Sequence, residues 1–499
     1  MSVIAVIGSG FSGLSAAAYL SKEGHEVHVF EKNDQAGGRA RQLVTDNGFR
    51  FDMGPSWYWM PDVFEKFFSD FGKRPADFFD LRRLDPAFDI VFGDKDTVSI
   101  PAGFDELKTL FESIEPGSAS KLDQFMKNAE LKYRISFDEL IYKPGISLFE
   151  FTSLSVLRNS LHLNIFSSFS KYVRKYFSHP KLIALMEFPV LFLGAMPKDT
   201  PALYSLMNYA GLKLGTWYPM GGFKSVVNAM VSICEENGVK FHLNTPVEKI
   251  ITGRHYATGI MAGGSAFLCD GIIASADYRH VEKQLLTEES RNYTDGYWDS
   301  KTLAPSSLIY YLGINKKLDK LQHHTLFFDE DLEAHARAIY KDPSWPDKPQ
   351  FYVSCPSRTD AGVAPEGGEN IFLLMPIAPG LEDNDATREK YFRIMLSRLE
   401  KYTGEKLGDF IIFKKSYCVN DFISDYNSFR GNAYGLANTL SQTAVMKPGI
   451  RNKKIRNLYY AGQLTVPGPG VPPSIISGKI AASQLNKHLT PSGYEAVIR

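Results

Sequence analysis

The chain has 499 residues, enough for a large buried core divided between more than one lobe. Its 56 Lys+Arg balance 56 Asp+Glu, so the formal net charge is zero and no global attraction to nucleic acid or anionic lipid is built in. The four cysteines (Cys234, Cys269, Cys355, Cys418) form no C-x-x-C pair and the eleven histidines no H-x-x-x-H, so buried structural thiols are expected, with neither disulfides nor a metal.

Residues 3–7 are a short apolar, β-branched run of the kind buried on both faces of a parallel sheet. Gly8, Gly10 and Gly13 follow as G-x-G-x-x-G. The first glycine permits a tight turn, the second lets backbone approach a pyrophosphate, and the third lets helix lie against strand. Leu14, Ala17, Ala18 and Leu20 share a helical face, Gly24 is placed to end that helix, and 27–30 returns as a second strand. Glu31 stands near the ~20-residue spacing at which a carboxylate accepts hydrogen bonds from an adenosine ribose and repels a 2′-phosphate. The pattern predicts a dinucleotide site. The first strand uses up the apolar N-terminus, so no signal peptide is expected. No stretch reaches the ~18 apolar residues of a membrane span.

Next come Gly37-Gly38-Arg39 and Asp52-Met53-Gly54-Pro55-Ser56-Trp57. A second diglycine suits a long, bent dinucleotide such as FAD, which wants further close backbone approaches. The order G-x-G-x-x-G, acid, G-G-R, D-x-G-P resembles that of FAD-dependent amine-oxidase-like proteins, among them carotenoid desaturases of the bacterial phytoene desaturase type. Further on, Val63, Phe64, Phe67 and Phe68 make an apolar helical face. Segments 88–92 and 97–100 read as strands, and helical patterns follow Phe104 and Ser118. The stretch 141–220 is dense in apolar residues but interrupted by Arg158 and His162. It carries the basic-aromatic run Tyr172-Val173-Arg174-Lys175-Tyr176-Phe177 and then a second apolar run, 182–193. A helical core lobe and a lipid-facing lobe around a substrate mouth both fit its periodicity. The expectation carried forward is that 148–193 forms a lipid-facing entrance, with Leu154, Phe166 and Phe177 among its exposed positions.

The resemblance continues through His179-Pro180-Lys181-Leu182 and Pro201-Ala202-Leu203-Tyr204-Ser205-Leu206. It then includes the aromatic-Pro-x-Gly-Gly turn Tyr218-Pro219-Met220-Gly221-Gly222, feeding a helix over 223–236. Segment 239–243 reads as a strand. The segment from Asn244 to Ile250 is similar to the family's return to the adenine, which carries over Val247. A β-meander is expected over 250–267 and a later sheet strand over 271–277. In 291–444, strands are expected at 307–312, 351–354, 371–376 and 410–414, with a helix over 385–401. The C-terminal strand 457–462 leads through Val466-Pro467-Gly468-Pro469-Gly470-Val471-Pro472 to a helix starting near Ser474. Its N-terminus is expected to present free N–H groups to an anionic reduced flavin. This stretch resembles the desaturases' C-terminal signature. It departs where Val466 stands in place of the His of many members, so no catalytic role of that His carries over.

The resemblance implies an α/β fold. A discontinuous Rossmann-type FAD-binding domain would take 1–75, 221–290 and 445–499. An α+β substrate domain would take 76–140 and 291–444, and an inserted helical membrane-associating lobe 141–220. The implied FAD contacts are Gly8, Gly10, Phe11, Ser12, Gly13, Glu31, Lys32, Gly37, Gly38, Arg39, Gly54, Pro55, Ser56, Val247, Gly462, Gly470, Val471 and Pro472. The implied activity is desaturation of an acyclic C40 carotenoid, with quinone or oxygen as electron acceptor, on the cytoplasmic face of a membrane. No general base is identified; Asp138, Glu139, Glu187 and Arg174 read as structural or solvated charges. Three alternatives share much of the pattern: an amine oxidase, a desaturase or isomerase of a later, end-modified carotenoid, and a non-enzymatic prenyl-lipid binder of the GDP-dissociation-inhibitor type. The intact Gly37-Gly38-Arg39 argues against the last.

Overall fold

A computed structural model describes residues 1–147, 150, 164, 167–191 and 194–490. Of the expected entrance positions, Leu154, Phe166 and most of the first apolar run, with Phe192 and Leu193, lie outside the described residues.

Two sheets organise the chain. The first is a five-stranded parallel sheet in the order Leu458–Tyr460, Gly271–Ala274, Val3–Ile7, Glu26–Phe30, Lys240–His242. Val6 lies in register with Val29 on one side and Ile273 on the other. The strands come from both ends and the middle of the chain; the inner ones are short apolar runs that a buried parallel position suits, while Lys240–His242 closes the edge half-exposed. Helix Phe11–Lys22 packs on this sheet beside Phe223–Glu236 and the C-terminal helix Val471–Leu489. The first and last helices cross closely. A Cβ on Gly478 would stand 2.2 Å from the Ser12 carbonyl oxygen, and Ser15 Oγ donates to Ile475 O at 2.7 Å. The expected meander is an antiparallel three-stranded sheet, Val247–Thr252, Ala257–Ala262 and Ser265–Leu268.

The second sheet has seven strands in the order Ile411–Tyr417, Ser306–Ile314, Glu369–Ile377, Phe351–Ser354, His324–Phe327, Phe88–Gly93, Asp96–Ile100. All neighbours are antiparallel except His324–Phe327 and Phe88–Gly93. Strand Ser306–Ile314 is buried along its whole length. Leu308, Tyr310 and Leu312 share a core with Tyr391, Phe392, Met395 and Leu399 of helix Asp385–Thr403, while Ser307 and Ile309 turn to the central cavity. Strand His324–Phe327 has no counterpart among the expectations: His323-His324 breaks the apolar signal, and four residues are too few to show a period.

Within the basic-aromatic run Arg174 and Lys175 are exposed, but Tyr172 and Phe177 do not face outward as expected. Tyr172 and Phe177 are buried, at 5% and 1% exposure. Both rings pack on Phe125, and Phe177 also meets Phe111. Arg174 pairs with Glu187 of helix Pro180–Leu191, which makes that charge pair structural. The aromatic half of the run therefore belongs to the core, because helices Phe104–Ile114 and Ser118–Ile135 offer it an apolar face that the sequence alone does not place. No helix among the described residues is long and apolar enough to cross a membrane. The four cysteines are buried and free.

Candidate cofactor and hydrocarbon site

A cavity of about 950 Å³ runs between the two sheets. It is at the upper end of the size range for a small-molecule site, about 300–1,000 Å³. One end is made by the glycine turn. Gly8, at φ +95°, sits where an added Cβ would press on the Ala276 backbone at 3.2 Å. A Cβ on Gly13 would fall 2.0 Å from Gly8 O, so Gly13 lies under the turn and does not line the cavity. Gly10 is different: nothing stands within 4 Å of its Cβ position, which faces open space. Gly37 N–H donates to Ser9 O at 2.9 Å, and a Cβ on Gly38 would meet Gly10 Cα at 3.1 Å. The two glycine motifs thus lie back to back, with backbone exposed to the cavity on both sides.

Glu31 is buried at the end of the second strand. Its Oε2 accepts from Ser9 N (3.0 Å) and Ser9 Oγ (2.8 Å), and its Oε1 from Asn33 N (3.0 Å) and Asn33 Nδ2 (2.9 Å). Those four bonds occupy the lone pairs of a carboxylate. A ribose hydroxyl would therefore displace the Ser9 hydroxyl or the Asn33 amide, a competition the motif spacing does not reveal. Lys32 donates to Ser424 O at 2.5 Å.

Arg39 is the charged group of the cradle. Its Nη2 donates to Ser428 Oγ (3.1 Å) and Asn432 O (3.3 Å), and its guanidinium lies 4.9 Å from the Tyr426 ring centroid. The buried Nε has no partner among the described residues. Burial pulls the guanidinium below its ordinary value and pushes the nearby Asp277 carboxyl up. An unspent donor on a buried cation at a cavity wall suits an anionic ligand.

At the far side, Gly462 has φ +112°, and its N–H donates to Ser477 Oγ at 2.9 Å. The C-terminal helix begins at Val471, three residues before the expected start, because Pro472 and Pro473 fit a first turn. The same prolines remove two N–H donors, and Ser474 N–H is used by Gly470 O. The expected row of free donors thus reduces to the Val471 N–H, and the helix acts through its dipole. Lys447, buried behind Gly468, has no partner for Nζ among the described residues, and burial pulls it down to about 7.

All the expected contacts but Gly13 line this one cavity: Gly8, Gly10, Phe11, Ser12, Glu31, Lys32, Gly37, Gly38, Arg39, Gly54, Pro55, Ser56, Val247, Gly462, Gly470, Val471 and Pro472. The other end is walled by Phe188, Leu203, Met207, Leu326, Phe328 and Leu374. Ser9, Asn33, Tyr426, Ser428 and Asn432 are site residues that sequence reasoning missed. Tyr426 ends helix Val419–Tyr426, and Ser428 and Asn432 come from the segment just after it, where Asn427 and Arg430 take left-handed backbone; no periodicity marks them.

Residues 11–486 match the model of the flavin-containing amine oxidoreductase family. The chain is 41% identical to the carotenoid 3,4-desaturase of Haloarcula japonica, covering 97% of both chains. It is 30% identical to the zeta-carotene-forming phytoene desaturase of Myxococcus xanthus, covering 97% of this chain and 93% of that one. An oxidoreductase from Methanosarcina mazei shares the fold, with a TM-score of 0.62 at 18% identity over 96% of this chain and 99% of that chain. The glycine cradle with its unspent Arg39 donor fits FAD, the mostly apolar wall fits a polyene, and the chain belongs to the flavin-containing amine oxidoreductase family as one of its carotenoid desaturases.

Proposed function

We propose that this desaturase takes an acyclic C40 carotenoid, with FAD held by the segments 1–75, 221–290 and 445–499. The observation that carries the reading is the single cavity whose one end is backbone glycine and Arg39 and whose other end is hydrocarbon wall. FAD, when bound, would supply the two-electron oxidising power for the bond that becomes double. The protein does the rest by placement. Gly10, Gly37 and Gly38 let backbone approach the pyrophosphate. Arg39 offers its spare Nε–H to an anionic oxygen. Glu31 takes a ribose hydroxyl in exchange for Ser9 Oγ or Asn33 Nδ2. Phe188, Leu326, Phe328 and Leu374 exclude water and, having no polar handle to grip, fix the substrate by shape. Quinone or oxygen would reoxidise the flavin.

The substrate reaches such a cavity from a lipid phase. Phe137, Leu140 and Ile141 line the cavity, and Ile146, just beyond, is 59% exposed. Leu131 is exposed on the preceding helix. These exposed apolar residues support a membrane-facing mouth at 131–146, on the cytoplasmic face, over one at the buried Tyr172 and Phe177. A second reading, dehydrogenation at the 3,4 position of a later carotenoid, is favoured by the 41% identity to a 3,4-desaturase. Expression in a phytoene-accumulating bacterium separates the two. The first reading expects phytoene to be replaced by pigment absorbing at longer wavelength. Unchanged phytoene, together with conversion of a longer polyene, would support the second.

A further inference from the structure

Behind Ser56 lies a second, small chamber of about 20 Å³, lined by Asp52, Ser56, Tyr218, His323, Ser354 and Asn370 among others. It holds one water by volume, and a buried water needs two to four polar partners. Three are present: Asp52 Oδ1, His323 Nε2 and Ser354 Oγ are each buried with no partner among the described residues. Their other positions are occupied. Asp52 Oδ2 accepts from Phe223 N at 2.7 Å, and His323 Nδ1 bonds Thr359 Oγ1 at 2.7 Å. Leaving three such groups dry would be costly, which favours a water in the chamber.

Ser56 lines both this chamber and the main cavity. It accepts a hydrogen bond from Tyr352 OH at 3.1 Å, and the Tyr352 hydroxyl in turn meets His324 Nδ1 at 2.7 Å. Ser56 belongs to the cofactor segment, and Tyr352 to a strand of the seven-stranded sheet that also lines the cavity. Their bond therefore spans the seam where the cofactor end meets the hydrocarbon end. With Tyr352 donating to Ser56, the Ser56 hydroxyl hydrogen is left to point at the chamber water.

We propose that this seam is the exit for the proton lost in desaturation, passing from substrate to Ser56, through the chamber water, to Asp52. The balance is simple. One carbon gives a hydride to the flavin. Its neighbour breaks a C–H bond heterolytically, and that electron pair becomes the new π bond. The freed proton binds Ser56 Oγ as the Ser56 hydroxyl proton moves to the water, and a water proton moves to the Asp52 carboxylate. A weak acceptor suffices because a C–H bond beside an electron-deficient allylic carbon is strongly acidic. Burial raises Asp52 to about 7, matched to proton acceptance near neutral pH. The titratable groups around it are Asp360, whose charge adds to the rise, Lys224, which favours the carboxylate, Tyr218, and His323, kept neutral by burial. Ser56 is the catalytic residue here, and Tyr352 with His324 position it.

The inference rests on the desaturase reading, and the test separates the two. Flavin-loaded full-length protein in carotenoid-bearing vesicles is followed through one anaerobic turnover across pH 5.5 to 8.5 (~0.5-unit steps around the raised value). Wild type is expected to form polyene with a rate that rises through about pH 7. Asp52→Asn should fall about 10²-fold and lose that rise, and Ser56→Ala should slow while keeping it. Difference infrared on the wild type, which needs no substrate, should show a carboxyl band titrating near neutrality, absent in Asp52→Asn. Wild type that makes no polyene overturns the desaturase reading. Wild type that does, with Asp52→Asn retaining rate and profile, overturns the relay. If Asp52→Asn does not fold, the infrared titration and Ser56→Ala decide: no neutral band, or an unslowed Ser56→Ala, also overturns it.

Discussion

The two ends of the cavity are built by different means. At the cofactor end, backbone does the work: Gly8, Gly10, Gly37 and Gly38 are there because a side chain would collide with chain or ligand. At the hydrocarbon end, side chains do the work, and any large apolar residue of the right volume would serve. A site made of backbone constrains which residue types are tolerated; a site made of apolar side chains constrains only their sum. Substitutions at the first end should therefore act as switches and at the second as gradual adjustments.

The largest expected effect is at Gly13. Gly13→Ala puts a methyl 2.0 Å from Gly8 O, a backbone atom, and should cost more than about 3 kcal/mol, read as lost soluble protein. Gly10→Val, whose Cβ meets nothing, should fold normally and elute colourless, because the new side chain occupies the pyrophosphate path. If Gly10→Val unfolds, or Gly13→Ala loads flavin normally, the backbone account of this end fails. Of similar size is Phe177→Asp. With the ring buried against Phe111 and Phe125, it should cost about 3–5 kcal/mol in chemical denaturation, whereas a lipid-facing position would tolerate it.

Next is Arg39→Met, which removes the spare buried donor. A charge-assisted hydrogen bond of about 1.5–3 kcal/mol corresponds to a loss of flavin affinity of roughly 10- to 100-fold, measured by fluorescence titration of the stripped protein. A smaller effect is expected from pH. Asp52 has its carboxyl raised from the usual range to about 7 when folded, so the folded state holds the proton more tightly than the unfolded chain. Its contribution to stability is full below about pH 4 and is lost as pH rises towards 7. Asp52→Asn should therefore raise the melting temperature at pH 8 and change it little at pH 4. The reverse order would show that the carboxylate is favoured in the fold. Smallest is Leu374→Ala at the hydrocarbon wall, half-buried on its strand: flavin content unchanged, KM for carotenoid raised several-fold, in keeping with about 1 kcal/mol of lost contact.

The same contrast explains what was legible before the structure. Strand Val3–Ile7, the glycine turn and helix Phe223–Glu236 were readable to the residue, since glycine spacing and apolar period encode them directly. Strand Phe351–Ser354 was also readable, from its β-branched and aromatic residues. Strand His324–Phe327 was not, and with it went His324 and its bond to Tyr352, which exists only because two strands and the Ser56 loop converge. Asp52 could be seen as part of D-x-G-P, yet its burial against the Gly221-Gly222 turn depends on a segment far along the chain. Tyr172 and Phe177 show the opposite failure: the sequence marks them as aromatic beside basic residues, and only packing on Phe125 decides that they face inward. The early start of the C-terminal helix was encoded in Pro472-Pro473, whose fixed backbone suits a first turn and whose missing N–H groups reduce what that turn offers a cofactor.

In the proposed function one cavity brings oxidised flavin and a hydrocarbon carotenoid together. This is tested most directly by mixing flavin-loaded protein anaerobically with phytoene-bearing vesicles and recording the whole visible spectrum. The yellow flavin absorbance is expected to bleach in step with the rise of polyene absorbance, one double bond per flavin. Flavin that stays oxidised with phytoene and with longer carotenoids alike, yet bleaches with a polar amine, would contradict it.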